Sequence, residues 1–287
     1  MKRFIINPSA GKHRNLKTLE KDIKNLFPQA EIVYTKYAGH AKELALEASL
    51  KNYKTVVAVG GDGTINEVTQ GLIKSDTALG IIPCGSGNGF ARLIKMPLKN
   101  IKKCLEIIKA NKTKLIDVGM AGGEYFLNVA GLGFDALIAQ KFALSKRRGK
   151  LPYFKIGIRE FFNYKPLKYN LTFQDGTQTE ISPLCVAFAN GNQYGSDFII
   201  APRADFEDGL LEMVLIKPAN IFKLLLGFPN FFKEGLSPVK LTENKSVKEV
   251  EIEAAQPFAY HIDGEPRTSA DGRLKIAVVP AALKIIC

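Results

Sequence analysis

The sequence predicts an α/β plus β fold, in which an N-terminal α/β domain with a parallel sheet is followed by a mostly antiparallel β domain. Short apolar segments alternate with helical patterns over roughly the first hundred residues, and closely spaced strand-like segments dominate from about residue 114. A chain of 287 residues is long enough for two domains. We therefore expect an α/β domain over residues 1–118, completed by 281–287, and a β-rich domain over residues 119–280.

In the N-terminal part, apolar runs predict strands and apolar residues at helical spacing predict helices. The expected strands are 3–6, 31–35, 55–59 and 78–82. The expected helical faces are formed by Leu16, Leu19, Ile23 and Leu26, by Ala41, Leu44, Ala45 and Ala48, and by Ile65, Val68 and Leu72. Because strands and helices alternate, the sheet should be parallel, with ligands at the carboxyl ends of its strands.

In the C-terminal part, strand-like segments are separated by turns rich in Gly, Asp and Pro. The expected strands are 114–120, 125–130, 168–174, 183–189, 210–216, 247–253 and 274–279. Asp-Gly pairs stand at 175–176, 208–209, 263–264 and 271–272, and this dipeptide is the common hairpin signal.

Two segments interrupt this β pattern. Residues 141–168 carry nine Lys or Arg and one acidic residue, and five apolar residues are expected on one helical face: Leu151, Phe154, Ile158, Phe161 and Phe162. Residues 221–232 are very apolar. Either segment could bury a helix against the β domain, or could rest on anionic lipid at a membrane surface.

The composition restricts the cellular setting and the partners. The net charge of +12 favours polyanions such as nucleic acid, phosphorylated ligands or an acidic membrane surface. The four cysteines and three histidines are scattered, which argues against disulfides and against a zinc site. We find no signal peptide and no uncharged apolar stretch of about 20 residues, so we expect a cytoplasmic protein.

The strongest motif is Gly60-Gly61-Asp62-Gly63-Thr64, followed by Asn66 and Glu67, between an apolar strand and a helix. Glycines let the backbone approach a ligand closely, and the N–H groups at a helix start bind anions. The motif therefore predicts phosphate binding. Asp62 would repel a phosphate unless Mg²⁺ lies between them or the carboxylate meets a hydroxyl. A simple helix cap is the alternative.

Two further turns should lie on the same sheet edge. Residues 83–92 read Pro-Cys-Gly-Ser-Gly-Asn-Gly-Phe-Ala-Arg after the fourth strand, and residues 7–11 read Asn-Pro-Ser-Ala-Gly after the first. Because the carboxyl ends of parallel strands share an edge, the loops should form the walls of one nucleotide site.

These three clusters, in this order, resemble the diacylglycerol kinase catalytic-domain family, which includes sphingosine kinases and bacterial lipid kinases. The segments 128–136, 201–210 and 263–265 extend the resemblance over essentially the whole chain. The wider resemblance is to the fold of NAD kinases and, more distantly, phosphofructokinases. Family members transfer the γ-phosphoryl group of ATP to a lipid hydroxyl, so the resemblance implies ATP and Mg²⁺.

The resemblance, with the loop chemistry, also assigns residues. The predicted nucleotide-binding residues are Asn7, Pro8, Ser9, Ala10, Gly11, Thr35, Gly60, Gly61, Asp62, Gly63, Thr64, Ile65, Asn66, Glu67, Gly85, Ser86, Gly87 and Asn88. The predicted catalytic residues are Glu265, Asp263 and Asp62, with Glu265 the first choice for proton acceptor. Asp205, Asp208 and Leu210 match a magnesium site in which the first and last use backbone oxygens.

One departure leaves the acceptor lipid open. Gly89 stands where many diacylglycerol kinases carry Asp, and the Gly-Ser-Gly-Asn sequence before it is closer to the sphingosine-kinase branch. This departure makes Asp62 a stronger candidate for a second base or metal contact. His261 is interpreted as a strand residue with a satisfied ring, or as a residue that shapes the site.

The leading hypothesis is a peripheral kinase that takes its lipid substrate from an anionic membrane. It would bind reversibly at the inner face of that membrane. A soluble small-molecule kinase such as NAD kinase is the alternative, but the loop at 85–92 and the Asp263-Gly264-Glu265 turn favour lipid kinases. A nucleic-acid binder is disfavoured, since no nucleic-acid-binding motif accompanies the charge. A homodimer is compatible with the sequence.

Overall fold

A computed structural model describes residues 1–11, 15–145, 150–195, 198–220 and 241–287. The contacts divide the chain into two compact units, residues 1–118 with 280–287 and residues 119–279. The apolar segment 221–232 lies outside the described residues, so its predicted role stays a prediction.

The first unit alternates strands and helices. Its elements are β1 (Lys2–Ile6), α1 (Leu16–Leu26), β2 (Glu31–Tyr34), α2 (His40–Leu50), β3 (Thr55–Gly60), α3 (Asp62–Leu72), β4 (Ala78–Pro83), α4 (Gly89–Leu93), α5 (Ile101–Ala110) and the first part of β5 (Thr113–Ala121). The second unit is mostly strand. Its elements are β6 (Glu124–Phe126), β7 (Val129–Gly133), α6 (Phe134–Leu144), α7 (Lys150–Phe161), β8 (Tyr169–Phe173), β9 (Gln178–Ile181), β10 (Cys185–Ala189), β11 (Gln193–Gly195), β12 (Phe198–Ile199), β13 (Leu211–Ile216), β14 (Thr242–Val247), β15 (Glu249–Glu253), β16 (Phe258–Ile262), β17 (Glu265–Ser269) and β18 (Arg273–Ile286), whose last residues return to the first unit.

The predicted parallel sheet of the first unit is confirmed. Its order is β2-β1-β3-β4, with every neighbouring pair parallel, and the end of β18 lies beside β4 with Ile285 opposite Leu79. All residues of β3 and β4 are buried, as expected of parallel strands covered on both faces. The buried carboxylate of Asp117 accepts the Ala281 N–H at 2.7 Å, which fixes the start of the returning segment.

Asparagine caps define two of the helix starts in this unit. The Asn15 side chain accepts from the Thr18 N–H at 3.2 Å at the start of α1, and the Asn100 side chain accepts from the Lys103 N–H at 3.0 Å at the start of α5. A cap of this kind satisfies an amide that has no partner inside the helix.

The predicted antiparallel domain is also confirmed. A six-stranded antiparallel sheet has the order β14-β13-β10-β7-β16-β17, and a second antiparallel set joins the first part of β18 to β15, β8 and β9. One hydrophobic cluster contains side chains of both sets, including Leu132, Phe188, Leu171 and Ile252. The second unit is therefore a β-sandwich around one core.

The sequence of strand β10 is continuously apolar because both faces of the strand are buried. Val186 and Phe188 enter the core between the sheets, whereas Cys185, Ala187 and Ala189 belong to a second cluster on the opposite face. This alternation follows the two-residue period of a strand. Phe134, Phe161 and Tyr164, from α6, α7 and the segment after α7, pack against the second cluster, so both faces of the strand are covered.

Four details of the prediction were wrong. The strand expected at 125–130 is split into β6 and β7, and the segment 247–253 contains the end of β14 and the whole of β15. The last strand continues to residue 286. Phe161 and Phe162 do not share a face, because Phe161 packs on the second cluster while Phe162 is 70% exposed. Helix α7 ends at Phe161, so Phe162 lies in the turn beyond the helical face.

Candidate active site

The three glycine-containing turns of the first unit lie together at the carboxyl ends of β1, β3 and β4. The Asn7 side-chain amide donates to Thr64 Oγ1 at 3.1 Å, joining the turn after β1 to the start of α3. The Asn7 N–H donates to Val59 O at 3.0 Å, and the Cys84 N–H donates to Gly60 O at 2.7 Å. The structure thus brings together the loops that the sequence placed on one edge.

Two glycines are required by close backbone contact between these turns. A Cβ on Gly85 would lie 2.7 Å from Gly61 Cα and 2.9 Å from Asn88 Oδ1. At Gly11, where φ is +85°, a Cβ would lie 3.0 Å from Cys84 O. Since Cβ atoms in real proteins almost never come closer than about 3 Å to such neighbours, a side chain at Gly85 would force the loops apart.

Asp62 connects the first glycine loop to the second. Its carboxylate accepts the Asn88 N–H at 2.8 Å and the Gly89 N–H at 2.7 Å, one on each oxygen. The structure therefore gives Asp62 a loop-positioning contact, which the sequence did not predict. That Asp62 also meets a cation or a hydroxyl stays a prediction.

Some of the other predicted nucleotide-binding residues have side chains that are buried or hydrogen-bonded within the first unit. The Glu67 carboxylate accepts the Gly39 N–H at 2.9 Å and the Ala41 N–H at 3.1 Å, and so caps α2. Ile65 is fully buried, and Asn66 accepts from the Gln70 side chain at 3.1 Å. A nucleotide contact at Ile65 would have to use the backbone.

Four of the other predicted residues lie on the outer surface of the loops. Pro8, Ser9, Gly63 and Ser86 are exposed. Thr35 follows β2, where its N–H donates to Ile6 O at 2.9 Å, so it stands at the end of the neighbouring strand.

The start of α3 has the features of an anion site. The N-cap residue is Gly61, which has no side chain to bond the first amides of the helix. Gly63 lies in the first turn, and a Cβ built there would meet nothing within 4 Å. Helix N-termini offer N–H donors and the positive end of the helix dipole, both of which favour phosphate.

In the second unit, Asp263 holds a tight turn between β16 and β17. Asp263 and Gly264 both have positive φ, at +48° and +87°, which is the pattern of a two-residue type I′ hairpin. The Asp263 carboxylate accepts three backbone N–H groups, those of Leu127 at 2.9 Å, Asn128 at 2.9 Å and Val129 at 3.1 Å. Its side chain therefore fixes the turn to the segment that joins β6 and β7.

Glu265 stands directly after this turn as the first residue of β17, and it is exposed. Within the described part of the chain, its carboxylate makes no side-chain hydrogen bond or ion pair, whereas Arg267 on the same strand pairs with Glu124 at 2.7 Å. Glu265 is thus the less engaged carboxylate of the predicted catalytic pair.

The predicted metal ligands form an exposed turn before β13. Asp205 Oδ1 accepts the Glu207 N–H at 3.0 Å, and Asp208 Oδ1 accepts the Leu210 N–H at 2.9 Å. The predicted donors are all oxygens, which suits a hard cation such as Mg²⁺. Over the described ranges, no group of three or more His, Cys, Asp or Glu side chains could hold a metal, so a cation here would depend on backbone carbonyls.

One buried pair and two buried amide oxygens were not predicted from the sequence. His261 Nε2 lies 3.1 Å from Asp135 Oδ2, and Asp135 belongs to the Gly-Phe-Asp-Ala segment that follows β7. The buried carbonyl oxygens of Asn128 and Asn192 accept no hydrogen bond from the described residues. The pairing of His261 with Asp135 could not be predicted from the sequence, because 126 positions separate the two residues.

A parallel α/β unit with interlocked glycine turns, in one chain with a β-sandwich that carries an acidic hairpin, defines a phosphotransferase of the kinase class. Residues 2–121 match the diacylglycerol kinase catalytic domain, and residues 128–287 match the YegS C-terminal NAD kinase beta sandwich-like domain. The chain belongs to this family of lipid kinases.

Relatives with assigned names agree with this membership. A protein of Mycobacterium tuberculosis named diacylglycerol kinase is 32% identical over 256 residues, which are 87% of this chain and 82% of the relative. A diacylglycerol kinase of Bacillus subtilis is 29% identical over 92% of this chain and 89% of the relative. The crystal structure of a diacylglycerol kinase from Bacillus anthracis, 23% identical, shares the fold with a TM-score of 0.76 over 99% of this chain and 96% of that one.

The chain is therefore an enzyme that transfers a phosphoryl group to an alcohol, and kinase chemistry implies ATP as the donor. In the part of the chain that the structure describes, no helix combines the length and the apolar character needed to cross a bilayer.

Proposed function

We propose that the protein transfers the γ-phosphoryl group of ATP to the hydroxyl of a membrane lipid, with Mg²⁺, at an anionic membrane surface. The observation that carries the proposal is the interlocked set of turns after β1, β3 and β4, next to an uncapped glycine start of α3. The relatives named diacylglycerol kinase make diacylglycerol the first lipid to test, and a sphingoid-type lipid the second.

The turns of the first unit support binding of the triphosphate. The α3 amides and the dipole of this 11-residue helix favour negative charge, and the absence of a side chain at Gly61 and Gly63 lets oxygen atoms approach the backbone. Asp62 keeps the loop containing Asn88 at the required distance from this backbone. Catalysis of phosphoryl transfer comes mostly from such positioning and from neutralisation of charge.

The acidic hairpin of the second unit supplies a proton acceptor for the lipid hydroxyl. Glu265 is the better candidate, because its carboxylate is exposed and the Asp263 carboxylate already accepts three amides. We expect Glu265→Gln to lower kcat by at least two orders of magnitude, since general-base catalysis is typically worth roughly 10²–10⁴-fold. The KM for ATP should be unchanged.

Asp263→Asn provides the contrast. An amide in place of the carboxylate would turn its N–H₂ group toward backbone N–H groups, so the turn should loosen. We expect a lower Tm for Asp263→Asn and a wild-type Tm for Glu265→Gln, measured by thermal unfolding monitored with circular dichroism. Wild-type kcat in Glu265→Gln would contradict its role as proton acceptor.

Oxygen atoms of the turn from Asp205 to Leu210 would hold Mg²⁺, which supplies positive charge and fixes the turn. We expect EDTA to abolish turnover and Mg²⁺ to restore it. Asp208→Ala should raise the Mg²⁺ concentration required for half-maximal activity.

Helices α6 and α7, with the turn that follows α7, supply a surface suited to an anionic membrane. Leu144 and Phe162 are 82% and 70% exposed, and Ile158 is 37% exposed. Arg159 is 86% exposed beside them in sequence, and Lys141 is half-exposed. Basic residues near an anionic surface contribute about 1 kcal/mol each, and exposed apolar side chains can enter the interface.

One assay tests the reaction and its alternative together. The purified protein is incubated with labelled ATP, Mg²⁺ and vesicles containing diacylglycerol or a sphingoid base, and in parallel with NAD. We expect label in the lipid fraction only, with a rate that increases with anionic lipid and falls with salt. Label in NAD would overturn the lipid proposal, and a salt-independent association with vesicles would contradict the electrostatic part.

A further inference from the structure

A buried histidine lies directly behind the acidic hairpin of the second unit. His261 on β16 is 1% exposed, and its Nε2 lies 3.1 Å from Oδ2 of Asp135, in the first turn of α6. The Asp135 side chain is 12% exposed. A buried carboxylate and imidazole within hydrogen-bond distance form a directed pair, because each is costly to bury alone.

The second ring nitrogen of His261 faces the hairpin itself. The Gly264 N–H points at His261 Nδ1 over 3.4 Å. Because Nδ1 faces a donor, it must be the unprotonated nitrogen, and Nε2 then carries the proton that is donated to Asp135. A chain of hydrogen bonds therefore runs from α6 through the imidazole to the residue between Asp263 and Glu265.

The Asp135 end of this chain is mostly buried and is held by a backbone N–H. Its Oδ1 accepts the Ala136 N–H at 2.7 Å. Burial, and then the Asp135 charge, raises the pKa of Tyr169 and of the Cys185 thiol, and burial with the charges of Tyr169 and Asp135 does the same for Tyr164. A carboxylate in such surroundings gives a strong hydrogen bond to its partner.

The hairpin is thus anchored on two sides by different residues. Asp263 binds three amides of the segment joining β6 and β7, and Gly264 is directed at His261. Glu265 comes next in the chain, and its backbone pairs with Ile262 across the hairpin. Among the described residues its carboxylate has no hydrogen-bond or ion-pair partner, so the orientation of this side chain depends on the turn before it.

From this geometry we propose that Asp135 and His261 are positioning residues that set the conformation of the hairpin and thereby the orientation of Glu265. The inference rests on the proposed role of Glu265 as proton acceptor. It predicts that the pair affects the chemical step and leaves nucleotide binding unchanged.

Two amide substitutions separate the two hydrogen bonds of the ring. The Nε2 of glutamine replaces the imidazole Nε2, so His261→Gln keeps the donor to Asp135 and loses the acceptor for Gly264. The Oδ1 of asparagine replaces Nδ1, so His261→Asn keeps that acceptor and loses the bond to Asp135. Glu253→Gln is the control in the same unit, because Glu253 on β15 forms an exposed ion pair with Arg273 on β18.

The experiment measures kcat, the KM for ATP and Tm for each variant, with diacylglycerol vesicles as substrate. We expect His261→Gln to lower kcat at least tenfold with the KM for ATP within twofold of wild type, and His261→Asn to retain more activity than His261→Gln. Wild-type kcat in His261→Gln would overturn the proposal. Equal losses of kcat and Tm in both variants would also overturn it, since they would indicate a purely structural role.

A second measurement keeps this inference separate from the reaction. The ¹⁵N chemical shifts of the ring in the wild-type protein report which nitrogen carries the proton, whether or not a lipid is phosphorylated. We expect the proton on Nε2. A proton on Nδ1 would overturn the inference, whereas failure of wild-type protein to phosphorylate lipid, with the proton on Nε2, would overturn the proposed function instead.

Discussion

Replacing Gly85 by alanine tests whether the two glycine loops of the first unit must touch. The added Cβ would lie 2.7 Å from Gly61 Cα and 2.9 Å from Asn88 Oδ1, which is about 0.5–1 Å closer than ordinary contact. Overpacking of this kind costs about 1–3 kcal/mol. For a chain of this size that cost lowers Tm by roughly 3–10 °C.

Gly63→Ala is the matched variant, because it adds the same methyl group to the other glycine loop, at the start of α3, without a clash. Nothing lies within 4 Å of the Cβ that it would create, and alanine is more favourable than glycine in a helix by about 0.5–1 kcal/mol. Its Tm should be equal to or slightly above that of wild type. However, the methyl group stands where a phosphate would approach the first turn of α3, so we expect the KM for ATP to rise roughly tenfold, equivalent to about 1.4 kcal/mol.

The assay is thermal unfolding combined with initial rates at varied ATP. Gly85→Ala should lower both Tm and ATP affinity, whereas Gly63→Ala should lower ATP affinity alone. An unchanged Tm for Gly85→Ala would refute the loop contact. A wild-type KM for ATP in Gly63→Ala would refute the assignment of phosphate to this helix start.

Three further predictions concern the stability of the first unit. Glu67→Ala removes the carboxylate that caps α2 and should lower stability by about 1–2 kcal/mol, detected as a lower Tm and faster amide exchange at the start of α2. The side-chain hydrogen bonds of Lys51 and Arg3 lower the pKa of Glu47 to about 2. The stability contributed by the ionised Glu47 carboxylate is therefore complete above about pH 4.5 and is lost as pH falls toward 2. The Tm should decrease over that window, and less steeply in Arg3→Met. Gly71→Ala would place a Cβ 2.6 Å from a backbone oxygen of α2, so α2 and α3 should separate. The Tm should drop by at least about 3 °C. A Tm equal to that of wild type would show that these helices are not tightly packed.

The central strands and several hairpins could be predicted because their signals are local. Strands β3 and β4 are continuous apolar runs bounded by turn residues, and the Asp-Gly pairs at 175–176 and 263–264 do join antiparallel strands. The bounds of β16 were not predicted, although His261 was interpreted as a strand residue. Strand β17 was missed, since Glu265–Ser269 is polar and alternates weakly. Helix α6 was also missed, because its sequence is apolar on most sides.

The location of the glycine-containing loops after β1, β3 and β4 could be predicted, but the contacts of individual side chains could not. A glycine turn after a parallel strand must lie on the carboxyl edge, so position follows from topology. The partners of Asp62, Glu67 and Asp263 are amides between 26 and 136 positions away in the chain. Only the packed structure shows that these carboxylates hold backbone, and that Glu265 is the carboxylate left exposed.

The strand β18 has a consequence for how the protein is made. Its residues 273–277 pair with β15, while Ile285 pairs with β4 of the other unit. During synthesis, β1 to β4 therefore leave the ribosome long before the end of β18, which pairs with β4, has been made. At about 5–20 residues per second, synthesis of the intervening unit takes roughly 10–30 s. During that interval the nascent sheet has an unpaired apolar edge at β4, which is the kind of edge that chaperones cover and that aggregation exploits.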